Sequence, residues 1–436
     1  TFFFVVILNI PLKRWAPHVA LSQQELLTIY TMLVMAVCVS GHDFSQALFC
    51  TLGTARWSAT PENDWSNLFW KYLPPHLTVN DDQALYGFYK GESTFYTPAH
   101  IKSWLEPMIW WTLFLTMVAF TMFCINVIIR KQWIEKEKLT YPLVHLPLEM
   151  SREGNGHHPF FRNKLFWIGF GLSAGVNLIN GTTYLFPLLP QIPLGYNLSV
   201  FFTERPFSAM GNVPIQFNPF AIGLAFAIPL DLLFSCWFFF LFWKAEQVVG
   251  SMAGINQPGY PFVAQQILGG YLGIAIVALW LARKPIWQLI KEAVRAGSDV
   301  DDSGEPMEYR TAVLGIILGI SFLVFFSYQA GMTIRFALAF FGVYFAIAFA
   351  HTRARAELGP PMHGIHYFGP FQFFIAAIGS RKLANQTLTA AAPLWTFTKQ
   401  FRNHPMPYIL ESFKLADRAG MDTRKLGRVI MLSVVV

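Results

Sequence analysis

The chain has 436 residues, of which 54% are hydrophobic and only 13% charged, with a mean hydropathy of +0.40. An average soluble domain carries about 25% charged residues, so this composition excludes a soluble globular protein and predicts a polytopic all-α membrane protein. The net charge of +7 comes without a basic run set among soluble, aromatic-interleaved sequence, which excludes nucleic acid and points to positive-inside topology.

The first ten residues, TFFFVVILNI, and the last eight, 429–436, read as interrupted apolar helices. A fragment of a larger chain, incomplete at both ends, is therefore expected, forming a single transmembrane domain over 1–436. Apolar runs predict spans over about 26–40, 106–129, 165–186, 219–243, 262–282, 311–328 and 336–350.

Between 41 and 105 lies a segment rich in Trp, Tyr and Pro, too aromatic for a disordered linker, which predicts an ordered cap. It holds four Lys/Arg, whereas the shorter 130–164 loop holds seven. The contrast predicts a cytoplasmic 130–164 and an extracytoplasmic cap. Residues 283–310 are expected at the cytoplasmic surface. Ile286, Leu289, Ile290, Ala293 and Val294 share one face of the helix that opens this segment, opposite Arg283, Lys284, Lys291 and Arg295. Basic residues from Arg381 to Arg428 extend the same side.

This topology leaves one crossing unaccounted for. The stretches 187–218 and 244–262 are dense in Pro and Gly, and 358–380 enters through Gly, Pro and His before an apolar dozen. Broken or re-entrant segments are expected there, because irregular backbone at membrane depth needs protein or a water-filled cavity around it.

Asp231 is the only charge in the 219–243 run, and an intramembrane carboxylate usually marks a pathway, so it is the proton-coupling candidate. An interfacial Asp231 that caps or pairs a helix is the alternative. Asn177, Asn180, Gln265, Gln266 and Tyr328 are candidates to line a substrate path, or simply to bond between helices. A cluster of His351, Arg353, Arg355, Glu357, His363 and His366 adjoins the suspected re-entrant segment and is a candidate for gating or ion pairing. Glu357 with His363 and His366 lacks the defined helical face of a zinc motif, so no metal is expected. Cys38, Cys50, Cys124 and Cys236 have no metal-type spacing either. Gly171 with Gly175, Gly269 with Gly273, and Gly315 with Gly319 have the spacing of close helix packing. Nucleophile elbow, phosphate loop and haem motifs are all missing, so no enzyme and no cofactor are expected.

The segment Lys138-Leu139-Thr140-Tyr141-Pro142 resembles an element of the oligopeptide transporter superfamily, which includes the yellow-stripe-like metal-chelate carriers. It continues as LVHLPLEM here, not as that family's small-residue stretch. Over its whole length, and through His351-Thr352-Arg353-Ala354-Arg355-Ala356-Glu357-Leu358-Gly359-Pro360-Pro361, the chain is similar to an uncharacterised group of bacterial multi-pass membrane proteins. The resemblance implies a proton-coupled secondary transporter of about 12 to 16 helices built from internal repeats. The expected function is transport of a small organic solute, peptide-like or a metal chelate, in a bacterial cytoplasmic membrane. A non-transporting scaffold or accessory subunit is the alternative. The expected partners are the lipid bilayer, a small-molecule substrate, and a second copy or other subunits of a membrane complex.

Overall fold

The structure, a computed structural model, describes residues 1–152, 159–295, 302–360, 364 and 368–435. In chain order its helices begin with α1 (Phe2–Trp15), α2 (Gln23–Val39), α3 (Ala47–Thr51), α4 (Thr54–Trp57), α5 (Trp65–Leu68), α6 (Asp82–Lys90) and α7 (Pro98–Lys131). They continue with α8 (Pro142–Ser151), α9 (Pro159–Arg162), α10 (Lys164–Leu185), α11 (Pro219–Ala225), α12 (Leu230–Met252) and α13 (Val263–Val294). The last are α14 (Tyr309–Gln329), α15 (Ile334–Leu358), α16 (Pro370–Ile378), α17 (Asn385–Thr398), α18 (Pro405–Ala419) and α19 (Thr423–Val435). The sheet among the described residues is one short antiparallel pair, β1 (Gly195–Asn197) and β2 (Pro214–Gln216), with Tyr196 opposite Ile215.

Among the described residues, six helical stretches are long and apolar enough to cross a membrane: Gln23–Thr51, Pro98–Lys136, Leu230–Met252, Val263–Val294, Tyr309–Gln329 and Ile334–Leu358. The protein is an all-α, multi-pass integral membrane protein. Several sequence boundaries move. The short run at 26–40 is interrupted at the extended Gly41 and resumes as a π-helical turn, His42–Gln46, that leads into α3. The span expected over 262–282 and the surface helix expected after it are one continuous helix, α13, which carries Pro285 inside. The run 219–243 is split between α11 and α12, because Pro229 cannot donate a backbone bond into a continuing helix. The stretch 187–218 holds the β1–β2 pair, and 244–262 begins as the last turns of α12.

The chain divides into two compact units. The first comprises residues 1–27, 140–263 and 356–360. Its long helices α10 and α12 are largely exposed and apolar, with Phe234, Trp237, Phe239 and Leu241 on the outside of α12. Such surfaces are stable against hydrocarbon and costly against water. The Tyr141 backbone N–H and the Thr140 Oγ1 reach the carbonyls of Ala356 and Glu357 at 2.8 and 2.7 Å. They satisfy acceptors that the last turn of α15 leaves without helical partners. The Thr-Tyr-Pro segment and the Ala-Glu-Leu-Gly segment, each noted separately in the sequence, therefore form one joint. Gly359, at φ +66°, is required there, since a side chain would press within 2.9 Å of Pro142.

The second unit comprises residues 28–139, 264–355 and 361–436. Its core is α7, flanked by α14, with Gly315 set against Phe120 and Cys124, and Gly319 against Thr121. Phe114 ties the helices together through Phe326 of α14 at 4.5 Å, Phe397 of α17 at 5.7 Å and Phe341 of α15 at 6.2 Å. The rest of the cap, over 52–97, is a run of short helices. It is pinned by the Arg56–Asp82 pair at 2.6 Å, by Trp57 stacked on Tyr89 at 5.2 Å, and by the Trp111 indole N–H donating to the Leu77 carbonyl at 3.0 Å.

Candidate functional site

Within the second unit, α15 has a broken partner. α17 starts near the α14–α15 turn, where Gln386 lies against Gly331, and α18 reaches Arg355 through Glu411. Together they run in the same direction as α15, and residues 399–404 interrupt them beside Tyr344 and His351, in its middle and later turns. Sequence reasoning assigns this stretch to the cytoplasmic side, because Lys399, Arg402 and Lys414 fit the positive-inside pattern. The break has a local cause. Pro405 and Pro407 have no backbone N–H to donate to an upstream turn, and Pro405 is suited to the first position of a new helix.

A second break meets the first. α2 ends at Val39, Gly41 is extended, and the chain resumes as the π-helical turn His42–Gln46. A side chain at Gly41 would collide with the Asn403 side chain, so glycine leaves room for Asn403 at the first break. The Cys38 thiol donates to the Asn403 carbonyl at 2.8 Å, and Ser45 Oγ donates to the freed carbonyl of Val39 at 2.6 Å. Arg402 clamps Asp43 by two contacts, Nε to Oδ2 at 2.6 Å and Nη2 to Oδ1 at 3.2 Å. The Asp43 carboxyl is 1% exposed and also meets His42 Nδ1 at 3.0 Å.

Around the same crossing, polar groups are buried among aromatic rings. His404 stacks on Phe401 at 4.6 Å and lies 5.6 Å from the Tyr344 ring and 6.0 Å from His351. Both His404 ring nitrogens, the Tyr344 hydroxyl and the Gln400 carbonyl oxygen are buried with no hydrogen-bond partner among the described residues. A buried polar group left without a partner costs about 1–3 kcal/mol relative to a satisfied one. One turn further along α15, Arg355 forms a two-point pair with Glu411 at 2.7 and 3.0 Å and lies 3.9 Å over the Tyr408 ring. Asn126 of α7 donates to the Met406 carbonyl at 2.7 Å, anchoring the start of α18.

The residues singled out from sequence are distributed differently. Asp231 lies exposed in the first turn of α12, directly after the Pro229 break, where a helix N-terminus favours a carboxylate. The interruption of the 219–243 run makes Asp231 a helix-start residue and not a mid-helix charge. Asn177 lines a cavity of about 410 Å³ with Ser173, Gln216 and Asn218 in the first unit. Asn180 bonds both the N–H and the carbonyl of Ile192, at 2.8 and 3.0 Å, and so ties down a loop. Gln265 and Gln266 lie exposed in the first turn of α13, and Tyr328 lies exposed at the end of α14.

The gating group separates. Arg353 meets Glu137 at 2.8 Å and lies over the Trp133 ring, whereas Arg355 meets Glu411. The Glu357 carbonyl belongs to the Thr140 joint. His363 and His366 lie outside the described residues. Among the described members of that cluster, His351 is the residue that reaches the crossing of the two breaks. Asp43, Tyr344, Arg402 and His404 are not singled out by sequence reasoning. Their only signals are Gly41 closing an apolar run and the Pro-x-Pro that follows His404.

The comparisons with known proteins add one finding. No curated protein matches the chain, and no solved structure does. One family model spans residues 1–436, and the chain belongs to that family, a family of unknown function (DUF6785).

Proposed function

We propose that the protein is a secondary transporter of a small organic solute, peptide-like or a metal chelate, driven by the proton gradient across a bacterial cytoplasmic membrane. The observation that carries this reading is the crossing of two interrupted helices where the buried Asp43 pairs with the half-buried Arg402. Discontinuous helices with charged groups inside the protein recur at transporter binding sites, because half-helix ends offer free backbone groups and a few small rotations change which side they face. Intramembrane ion pairs are expensive and are kept for pathways and relays.

In this reading Asp43 takes the coupling role, with Arg402 as its switchable partner. A proton on Asp43 removes the negative charge that holds Arg402, and the segment 399–404 is then free to shift against α15. The guanidinium released this way can hold an anionic group of the solute. The resemblance of Lys138–Pro142 to the oligopeptide transporter element agrees with this class of mechanism.

The test is gradient-driven uptake by the full chain reconstituted in proteoliposomes, screened with peptide and metal-chelate libraries. Asp43→Asn is expected to abolish dependence on the pH gradient, and Asp231→Asn to leave it in place. Unchanged gradient-driven uptake in Asp43→Asn overturns the coupling role. A loss confined to Asp231→Asn returns that role to the first unit. The exposed apolar faces of α10 and α12 favour the rival reading, a membrane scaffold. No uptake of any solute, together with stable capture of other membrane proteins on those helices, is the outcome that supports it.

A further inference from the structure

Resting on the transport reading, we infer that the cleft between the cap and α17 is a recognition site for a small amphipathic carboxylate, one negative charge on an aromatic or branched apolar body. The cleft lies wholly within the second unit and has a volume of about 440 Å³. Pockets that enclose small organic ligands run from about 300 to 1,000 Å³, so the size suits a single solute of modest length.

Its walls define the chemistry. Trp65 and Phe69, with ring centroids 5.5 Å apart, form one side, and Leu388 and Trp395 of α17 form the other. Lys399 supplies the only formal charge among the lining residues. Its ammonium lies 4.6 Å over the Trp395 ring, and no carboxylate pairs with it among the described residues. A cation resting on an indole face is held in place by a weak interaction, which a carboxylate can exceed at little cost in side-chain order.

The lining threonines, Thr51, Thr54, Thr78, Thr389 and Thr396, each donate their hydroxyl to a backbone carbonyl. The cleft therefore offers one point charge among largely apolar walls, which matches a monoanion. A phosphate ester would bring close to two charges and ask for more donors than this cleft presents. Lys399 also ends α17, directly before the interrupted segment, and Thr51 and Leu52 of the lining follow the α2 break closely. A solute seated here therefore touches Lys399, at the start of the segment that carries Arg402, and the end of α3, the helix that follows the turn carrying Asp43.

The test uses the full chain in lipid nanodiscs, titrated calorimetrically with 4-phenylbutyrate and with its neutral amide, 4-phenylbutyramide. The acid is expected to bind saturably and the amide about tenfold more weakly, a ratio equivalent to one ordinary charge-assisted contact. Lys399→Gln is expected to lower affinity for the acid to that for the amide while leaving the amide unchanged, and Lys399→Arg to restore the preference. Trp65→Ala is expected to weaken both ligands alike, with an unchanged melting temperature as the check on folding. Equal binding of acid and amide, an undiminished acid preference in Lys399→Gln, or no saturable binding of the acid overturns the proposal. Binding with the expected Lys399 dependence but no gradient-driven uptake of any solute supports the cleft assignment and removes the transport reading. Gradient-driven uptake that Lys399→Gln leaves intact, without carboxylate binding, removes the cleft assignment alone.

Discussion

Arg402 holds Asp43 at two points, 2.6 and 3.2 Å, across 359 residues of sequence. The two residues sit on segments that each interrupt a helix, so the pair is the bond between two breaks. The Asp43 side chain is 1% exposed and that of Arg402 35%. Arg402→Leu should therefore cost about 2–3 kcal/mol, somewhat less than the 3–5 kcal/mol expected when one partner of a fully buried pair is removed. Arg402→Lys should fall between, because an ammonium keeps the charge and loses the fork. The double variant Asp43→Asn/Arg402→Gln should recover most of the loss. Melting temperatures in detergent measure all three, and additive effects in the double variant would count against a direct pair.

The Arg355–Glu411 pair makes a sharper case, since its side chains are 5% and 13% exposed. Glu411→Leu alone should destabilise by about 3–5 kcal/mol by leaving a guanidinium without its counter-charge. Arg355→Met with Glu411→Leu should restore folding, because an apolar pair of similar volume avoids desolvating either charge. The stacked Tyr408 ring adds a check. Tyr408→Leu removes a cation–π contact of about 1 kcal/mol and should lower the melting point modestly with the ion pair intact.

In the cap, Asp81 caps α6 by accepting from the backbone N–H groups of Gln83 and Ala84, both at 2.9 Å, and it also accepts from Ser103 of α7 at 3.2 Å. The Ala84 N–H, first among these donors, holds the Asp81 carboxyl below the ordinary carboxylate range. A carboxyl depressed by folding contributes stability at pH above its unfolded value of about 3.9, and the contribution disappears as pH falls through the folded value. Asp81→Ala should cost about 0.5–2 kcal/mol at neutral pH. Asp81→Asn should retain the cap there and lose its share of the acid sensitivity. Melting curves from neutral pH down to about pH 3 separate the two, and identical pH slopes for wild type and Asp81→Asn would remove the cap from the acid response.

The long spans are legible because length and apolar content decide them. α7, α14 and α15 extend the runs at 106–129, 311–328 and 336–350 by only a few residues to about a turn or two at each end. The interrupted helices are not legible in the same way. The stretch Lys399–His404 carries two cations within six residues and reads as a surface loop. The tertiary partner Asp43, far away in sequence, compensates Arg402 and helps the segment to be buried. The placement of Asp231 shows the opposite effect. An unbroken apolar run makes it look central, whereas Pro229 ends one helix and starts another, which leaves the carboxylate in a first turn. Local pattern reports the solvent preference of a segment, and a buried pair between distant breaks changes that preference.

Glycine spacing shows the same limit and supports a direct test. Gly315 with Gly319 and Gly269 with Gly273 have the same i, i+4 pattern, and sequence alone predicts close packing at both. The structure separates them. A methyl group at Gly319 would collide with Thr121, and one at Gly315 would sit 2.6 Å from Cys124 Sγ, whereas Gly269 and Gly273 have nothing within 4 Å. Gly319→Ala should therefore cost about 1–3 kcal/mol as α14 is forced away from α7. Gly273→Ala should be neutral or stabilising by up to about 1 kcal/mol, the helix-propensity gain of alanine over glycine. Both variants are read as shifts in melting temperature of the detergent-solubilised chain. A large loss in Gly273→Ala would mean that this face of α13 is covered in the membrane, by another helix or a second copy, and that its glycines pack as closely as those of α14.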